Sequence, residues 1–245
     1  MRSGWGTKII QAVEQDAMIF TPSGEQEAID NIGLGRVMIK ALRYWSDAMG
    51  LTHEEKEQGG IRLVPEPIYY SILNHDLYFQ RLGSLLLLHR NLALNEKNAT
   101  AWYWLFNEWK QNVFTKDAFV DGFHSFLSVN GMKVKKTAVD KEFNCLKNTY
   151  IGEGKFDKNS IMDEDTYPFL APLQILKETG KNTYEKRSLT GKEVPLEILI
   201  YSIAMDNIDE SSSGRQINID KLMEEKRQIG KYFGMKYSKL LELLV

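Results

Sequence analysis

The chain has 245 residues, of which 43% are hydrophobic and 26% charged, with a formal net charge of −2. That composition can bury a core of ordinary size and excludes disordered or fibrous classes; at roughly 150 residues per domain it implies one large domain or two small ones. The longest unbroken apolar run, residues 101–106, is far short of the ~20 residues that span a bilayer, and the first ten residues carry no secretory signal. Cys145 is the sole cysteine, which excludes an intramolecular disulfide and any zinc site built on two or more thiolates. A soluble, cytoplasmic chain is expected, and with so small a net charge any affinity for nucleic acid must come from local patches.

Ser23 is a candidate N-cap, with Gln26 three residues on completing a capping box. Ala28, Ile29 and Ile32 form a short apolar face, Gly33-Leu34-Gly35 interrupts it, and a longer helical pattern covers 36–49 with Gly50 just beyond. Residues 52–60 are polar and are expected to form a loop. Ile61-Arg62-Leu63-Val64 then alternates like a strand before Pro65. Helix, tight turn, helix and then a possible β-hairpin, in this order, resemble a winged helix. In the second helix Val37, Ala41, Trp45 and Ala48 share one sector, with Met38, Leu42 and Met49 beside it, while Arg36, Lys40, Arg43 and Asp47 lie opposite with Tyr44 at the edge. A recognition helix needs that division, one face docked on its domain and one presenting cations to a major groove. An ordinary amphipathic surface helix shows it as well.

Residues 82–94 are leucine-rich, and 98–111 carry Trp102, Phe106 and Trp109 at helical spacing. Such a stripe can stack bases, but on a helix it more often belongs to the core, and a central scaffold is expected here. A helix over 116–129 faces inward with Phe119, Phe123, Phe126 and Leu127; Lys133, Lys135 and Lys136 follow the Asn130-Gly131 stop. Thr137 is a candidate N-cap for a helix with Val139, Phe143, Leu146 and Tyr150 on one side, Cys145 as a small buried residue beside them, and Lys141, Asn144 and Asn148 outward. Those lysines and amides suit phosphates as charges and donors, or merely solubilise a face. Residues 180–194 are polar and basic. Pro195 opens a helix expected to bury Leu196, Ile200 and Ile203; a serine-rich linker and two short helices, 219–227 and 236–244, complete the chain.

Two stretches, Gly33-Leu34-Gly35-Arg36-Val37-Met38-Ile39-Lys40-Ala41-Leu42-Arg43-Tyr44-Trp45 and Ala99-Thr100-Ala101-Trp102-Tyr103-Trp104-Leu105-Phe106-Asn107-Glu108, resemble the bacterial family known as domain of unknown function 4007. Asn144-Cys145-Leu146-Lys147-Asn148-Thr149-Tyr150 and Pro195-Leu196-Glu197-Ile198 are similar to the same family, in the same order. The resemblance implies a DNA-associated role beside sulfur-dependent DNA modification (phosphorothioation) and phage defence, some relatives being domains of DNA-nicking proteins. It supplies no catalytic motif.

Chemistry is otherwise sparse. The four histidines, His53, His75, His89 and His124, are dispersed, and no metalloprotease, phosphate-loop or dinucleotide signature is present. Asp163-Glu164-Asp165 and Glu54 with Lys56 are the nearest things to a metal-nuclease cluster, and both fall in polar stretches with no strand to fix them. The expectation is therefore a mainly α protein with winged helix-turn-helix elements and a few short β-strands, in three regions: 1–95, 96–160 and 161–245. It is read as a non-enzymatic accessory or targeting subunit that binds double-stranded DNA without metal or cofactor. Its contacts are expected from Arg36, Lys40, Arg43, Tyr44, Lys133, Lys135, Lys136, Lys141 and Asn144. The alternative is an adaptor that docks a modification enzyme, which the repulsive Asp47 favours; a nicking enzyme is a third reading, resting on relatives alone.

Overall fold

Proline is scarce and apolar residues recur every three or four positions, so helices dominate. The computed structural model describes residues 2–21, 23–152, 167–208 and 217–244, and it is mainly α-helical with a few short strands. No helix among the described residues is long and apolar enough to cross a membrane. The Asp163–Asp165 cluster and the serine-rich linker lie outside the described residues.

The chain opens with α1 (Trp5–Gln15), α2 (Glu25–Ile32) and α3 (Arg36–Ala48). Ser23 does not cap α2. The N-cap is Gly24, whose amide bonds the Thr21 hydroxyl, and Glu25 and Glu27 in the first turn offset the helix dipole instead. Gly33, at φ 71°, closes α2 in the left-handed conformation that glycine adopts without strain, and three residues later α3 begins. The buried face of α3 is Ile39, Leu42, Trp45, Ser46 and Ala48, not one centred on Val37 and Ala41. Val37 is 81% exposed. The face is turned by about a quarter of the helix from its sequence assignment, because a polar residue is buried: Ser46 Oγ and Thr52 Oγ1 share a 2.7 Å hydrogen bond.

The possible hairpin is present, but its first strand, β1 (Thr52–Glu57), is taken from the stretch expected as a loop; β1 pairs antiparallel with β2 (Gly60–Pro65) through a two-residue turn. Its glutamates find partners that a loop would not supply: Glu57 meets Arg62 of β2 at 3.1 Å and Glu54 meets Arg43 of α3. After α4 (Pro67–His75), the leucine-rich α5 (Leu82–Leu94) runs through the core.

The aromatic stretch is not one helix. It forms a single turn, α6 (Thr100–Tyr103), then a π-turn over Trp104–Glu108, and ends at Trp109. Asn107 donates to the carbonyls of Ala93 and Tyr103, and Lys186 donates to those of Leu105 and Trp109, so groups left over by the wide turn are taken up. Residues 101–107 are all buried, as a scaffold requires.

Strand β3 (Val113–Thr115) leads into α7 (Lys116–Val129), capped by the Thr115 hydroxyl, and α8 (Lys136–Tyr150) packs against it. Helix α8 starts earlier than Thr137 would allow: Lys135 is its N-cap, and its carbonyl accepts from Ala138 and Val139. Cys145 is exposed rather than buried, because it lies about 100° round the helix from Leu146. Strands β4 (Leu176–Gly180) and β5 (Thr183–Lys186) join β3 in an antiparallel sheet of order β3-β5-β4. Helix α9 (Leu196–Asp206) buries Leu199 and Ser202; Leu196 and Ile200, expected inside, are exposed. Its end is held where Arg90 and the Tyr232 hydroxyl both donate to Asp206. The short helices α10 (Ile219–Glu224), α11 (Ile229–Tyr232) and α12 (Tyr237–Leu244) close the chain, and the buried apolar side chains form one connected core from Trp5 to Leu240.

Candidate nucleic-acid interface

Because Ile39, Leu42 and Ser46 dock α3 on the core, Arg36, Lys40 and Tyr44 stand outward, with Arg43 and Asp47 partly covered at the flank. None of the three cations is free. Arg36 meets Glu25 of α2 at 3.0 Å and Lys40 meets the other oxygen of the same carboxylate at 3.4 Å. Arg43 forks onto Glu54 of β1, with Nε at 2.6 Å and Nη2 at 3.0 Å. Thus the hairpin beside α3 supplies one counter-charge and the helix before it supplies the other.

Tyr44 donates its hydroxyl to the carbonyl of Asn98, in the turn between α5 and α6, and Asn98 donates its side-chain amide to Asp47. Burial, then the charges of Glu142, Cys145 and Asp47, push the Tyr44 phenol up to about 12, so it stays a neutral donor. Burial and Glu54 raise the Asp47 carboxyl above its usual range against the pull of Lys97. His53, on β1, lies between Glu66 at 2.6 Å and Glu55 at 3.3 Å, and those hydrogen bonds raise its pKa. Lys40, Arg43, Tyr44, Lys97 and Asn98 border a depression of about 610 Å³ on this side.

The second predicted group is at the α7–α8 turn and along α8. Lys133, Lys135 and Lys141 are exposed with no ion pair among the described residues, whereas Lys136 meets Asp121 at 2.6 Å. Asn144 is engaged internally, accepting from Lys116 and donating to Asp140. A second depression of about 260 Å³ is lined by Asn98, Phe123, Leu127, Val134, Val139 and Glu142. Asn98 borders both depressions, so the α3 face and the α7–α8 turn are brought to adjoining surfaces.

Glu54 and Lys56 are on a strand after all, but the Glu54 carboxylate is occupied by Arg43. His89 is a core residue, and Nε2 of His124 bonds the Val134 carbonyl. Among the described residues no three His, Cys, Asp or Glu side chains gather where they could hold a cation. Sequence reading missed a third depression, of about 530 Å³, whose lysines and arginine come from residues 110 to 236 and share no motif.

The whole chain, residues 1–245, matches the family described as protein of unknown function (DUF4007). No curated protein matches. Among solved structures, an SspB crystal structure aligns with a TM-score of 0.84 at 22% identity, covering 100% of this chain and 74% of that one. Magnesium ion-bound SspB aligns with a TM-score of 0.82 at the same identity and coverage. At that identity the likeness is one of fold.

Proposed function

This chain belongs to the DUF4007 family, and on that premise we propose that it is a DNA-binding accessory or targeting subunit of a bacterial DNA-modification or defence system of the phosphorothioation type. In this reading α2, the glycine turn, α3 and the β1–β2 hairpin act as a winged helix, with α3 as the recognition helix and the hairpin as its wing. The observation that carries it is the outward row Arg36, Lys40 and Tyr44, opposite the docked face of α3, with Lys133 and Lys135, exposed and with no ion pair among the described residues, in the α7–α8 turn as a second cationic group. The pairing of Arg36 and Lys40 with Glu25 does not forbid it. Exposed ion pairs contribute only ~0–1 kcal/mol each, whereas a phosphate that takes over a cation also releases condensed counterions.

The test is titration of duplex DNA by fluorescence anisotropy at two salt concentrations. The combined Arg36→Ala, Lys40→Ala, Arg43→Ala protein should fold normally, bind duplex much more weakly and show a shallower salt dependence. Glu25→Gln should bind more tightly than the parent, because Arg36 and Lys40 lose their internal competitor. A triple variant that binds like the parent overturns the proposal.

A second reading, an adaptor that docks a partner modification enzyme, is favoured by α9. There Leu196, Ile200, Tyr201 and Met205 are exposed in a helix that could have buried them. Under that reading the triple variant keeps its DNA behaviour and loses capture of the enzyme. Nicking activity rests only on the family resemblance.

A further inference from the structure

The third depression has a charge balance unlike the rest of a chain whose net charge is −2. Its lining includes Lys110, Lys186, Arg187, Lys226, Lys231 and Lys236 against two carboxylates, Glu108 and Glu224. The end of the π-turn, the end of β5 and α11 converge there, which is why cations far apart in sequence meet.

Two of the six are committed within the protein. Arg187 forks onto Glu193 at 2.7 and 3.0 Å, and Lys226 meets Glu108 at 2.6 Å. Lys110, Lys231 and Lys236 have no ion pair among the described residues. Lys186 differs from all of these. Its ammonium is half-buried and donates to the carbonyls of Leu105 at 2.9 Å and Trp109 at 2.6 Å. An ammonium has three N–H groups, and the third has no partner among the described residues. Burial, and then the neighbouring Lys231, push this amine down to about 8. Four like charges round one hollow, one of them fixed by two carbonyls and short of a third acceptor, form an arrangement that an anion would complete.

We propose that this cavity binds the phosphate group of a nucleotide, with Lys186 as the fixed donor and Lys110, Lys231 and Lys236 as the mobile charges that close on it. The volume lies within the ~300–1,000 Å³ range of small-ligand sites. The phosphate can come from a free nucleotide or from a nucleic-acid strand, because both present the same oxygens. This site is separate from the α3 face and does not depend on the reading of that face.

The experiment is calorimetric titration of the full chain with adenosine triphosphate, inorganic phosphate and a short single-stranded oligonucleotide with and without a 5′-phosphate. At least one probe should bind saturably. Lys110→Glu, Lys231→Glu, Lys236→Glu, a variant that alters solvent-facing lysines only, should weaken it by about tenfold or more. The triple alanine variant of α3 should bind that probe like the parent. Preference for the triphosphate assigns the free nucleotide, and preference for the oligonucleotide assigns the strand; either supports the proposal. At pH near 8 binding should take up protons as Lys186 recharges, seen as a dependence of the heat on buffer ionisation, and Lys186→Met should abolish that uptake. No saturable binding of any probe at millimolar concentration, or equal binding by the charge-reversed protein, overturns the proposal.

Discussion

Acidification should destabilise this protein through His89. The imidazole is fully buried, with Nε2 at 2.7 Å from the Tyr232 carbonyl and Nδ1 at 2.8 Å from the Tyr150 hydroxyl. A carbonyl only accepts, so Nε2 carries the proton and Nδ1 accepts from Tyr150; the neutral tautomer is fixed by its two partners. Protonation would set a second N–H against a hydroxyl that now donates, inside a wall made by Phe106, Phe233 and Tyr150. Arg90, next to His89 on α5, pairs with Asp206 of α9, and Asp206 also accepts from Tyr232. Burial therefore pushes His89 down to about 4, against 6.5 in a free chain. Because the folded value is depressed, the stabilisation is complete above pH 6.5 and is lost as pH falls towards 4. At 1.36 kcal/mol per pH unit the loss is about 3 kcal/mol, a large share of the ~5–15 kcal/mol that holds a domain together. Urea unfolding of the parent and of His89→Gln, from neutral pH to about 4, isolates this contribution. The raised carboxyls of Asp206 and Glu142 titrate alike in both proteins and cancel in the difference. The variant should be the less stable protein at neutral pH, and the two curves should converge on acidification. Curves that stay parallel would refute the assignment of a buried, neutral His89.

Two further outcomes follow from the same core. Trp102, 1% exposed and edge-on to Trp45 of α3 at 5.4 Å between ring centres, ties α3 to the scaffold; Trp102→Ala should lower stability by ~3–5 kcal/mol in thermal unfolding, and an unchanged melting temperature would restore an exposed stacking role. Asp206→Ala should cost about 3–5 kcal/mol by leaving the Arg90 guanidinium buried and uncompensated, with Arg90→Met, Asp206→Leu costing less than the single change in urea unfolding.

What the sequence made legible was set by how local the determining interactions are. The helix over 116–129 is legible to the residue because its apolar spacing lies within it and its Asn-Gly stop follows it directly. On α3 the cationic side was found but the buried side was misplaced, because Ser46 is buried by a bond to Thr52, a residue of the next element. Strand β1, with four charged residues in Thr-His-Glu-Glu-Lys-Glu, has little strand propensity of its own; a partner strand and cross-element arginines make it one. On α9 the helix was found at Pro195, yet its near-uniform apolarity hides which side faces in. The carboxylates that hold Arg36, Lys40 and Arg43 come from α2 and β1, and the cations of the third depression come from residues 110 to 236, so neither is visible in one dimension.

Those carboxylates also rank the α3 cations. Glu25 is in the first turn of α2, where the helix N-terminus favours negative charge, so on the proposed DNA binding it would stay stabilised once Arg36 and Lys40 turned to a phosphate. Both cations are long, exposed side chains that can make that move without the backbone. Arg43 is different: it is partly covered, its two nitrogens fork onto Glu54, and Glu54 is in the middle of β1 with no helix terminus to compensate it. Breaking that fork would leave a carboxylate facing Asp47, whose own carboxyl is already raised in part by Glu54. Arg43 therefore braces α3 against the hairpin, and on the proposed DNA binding Arg36 and Lys40 would be the groups that exchange partners. It follows that the salt dependence lost by the triple variant should be about two units rather than three, at roughly one unit per phosphate contact. What Arg43→Ala removes alone should be the fixed angle between α3 and the hairpin.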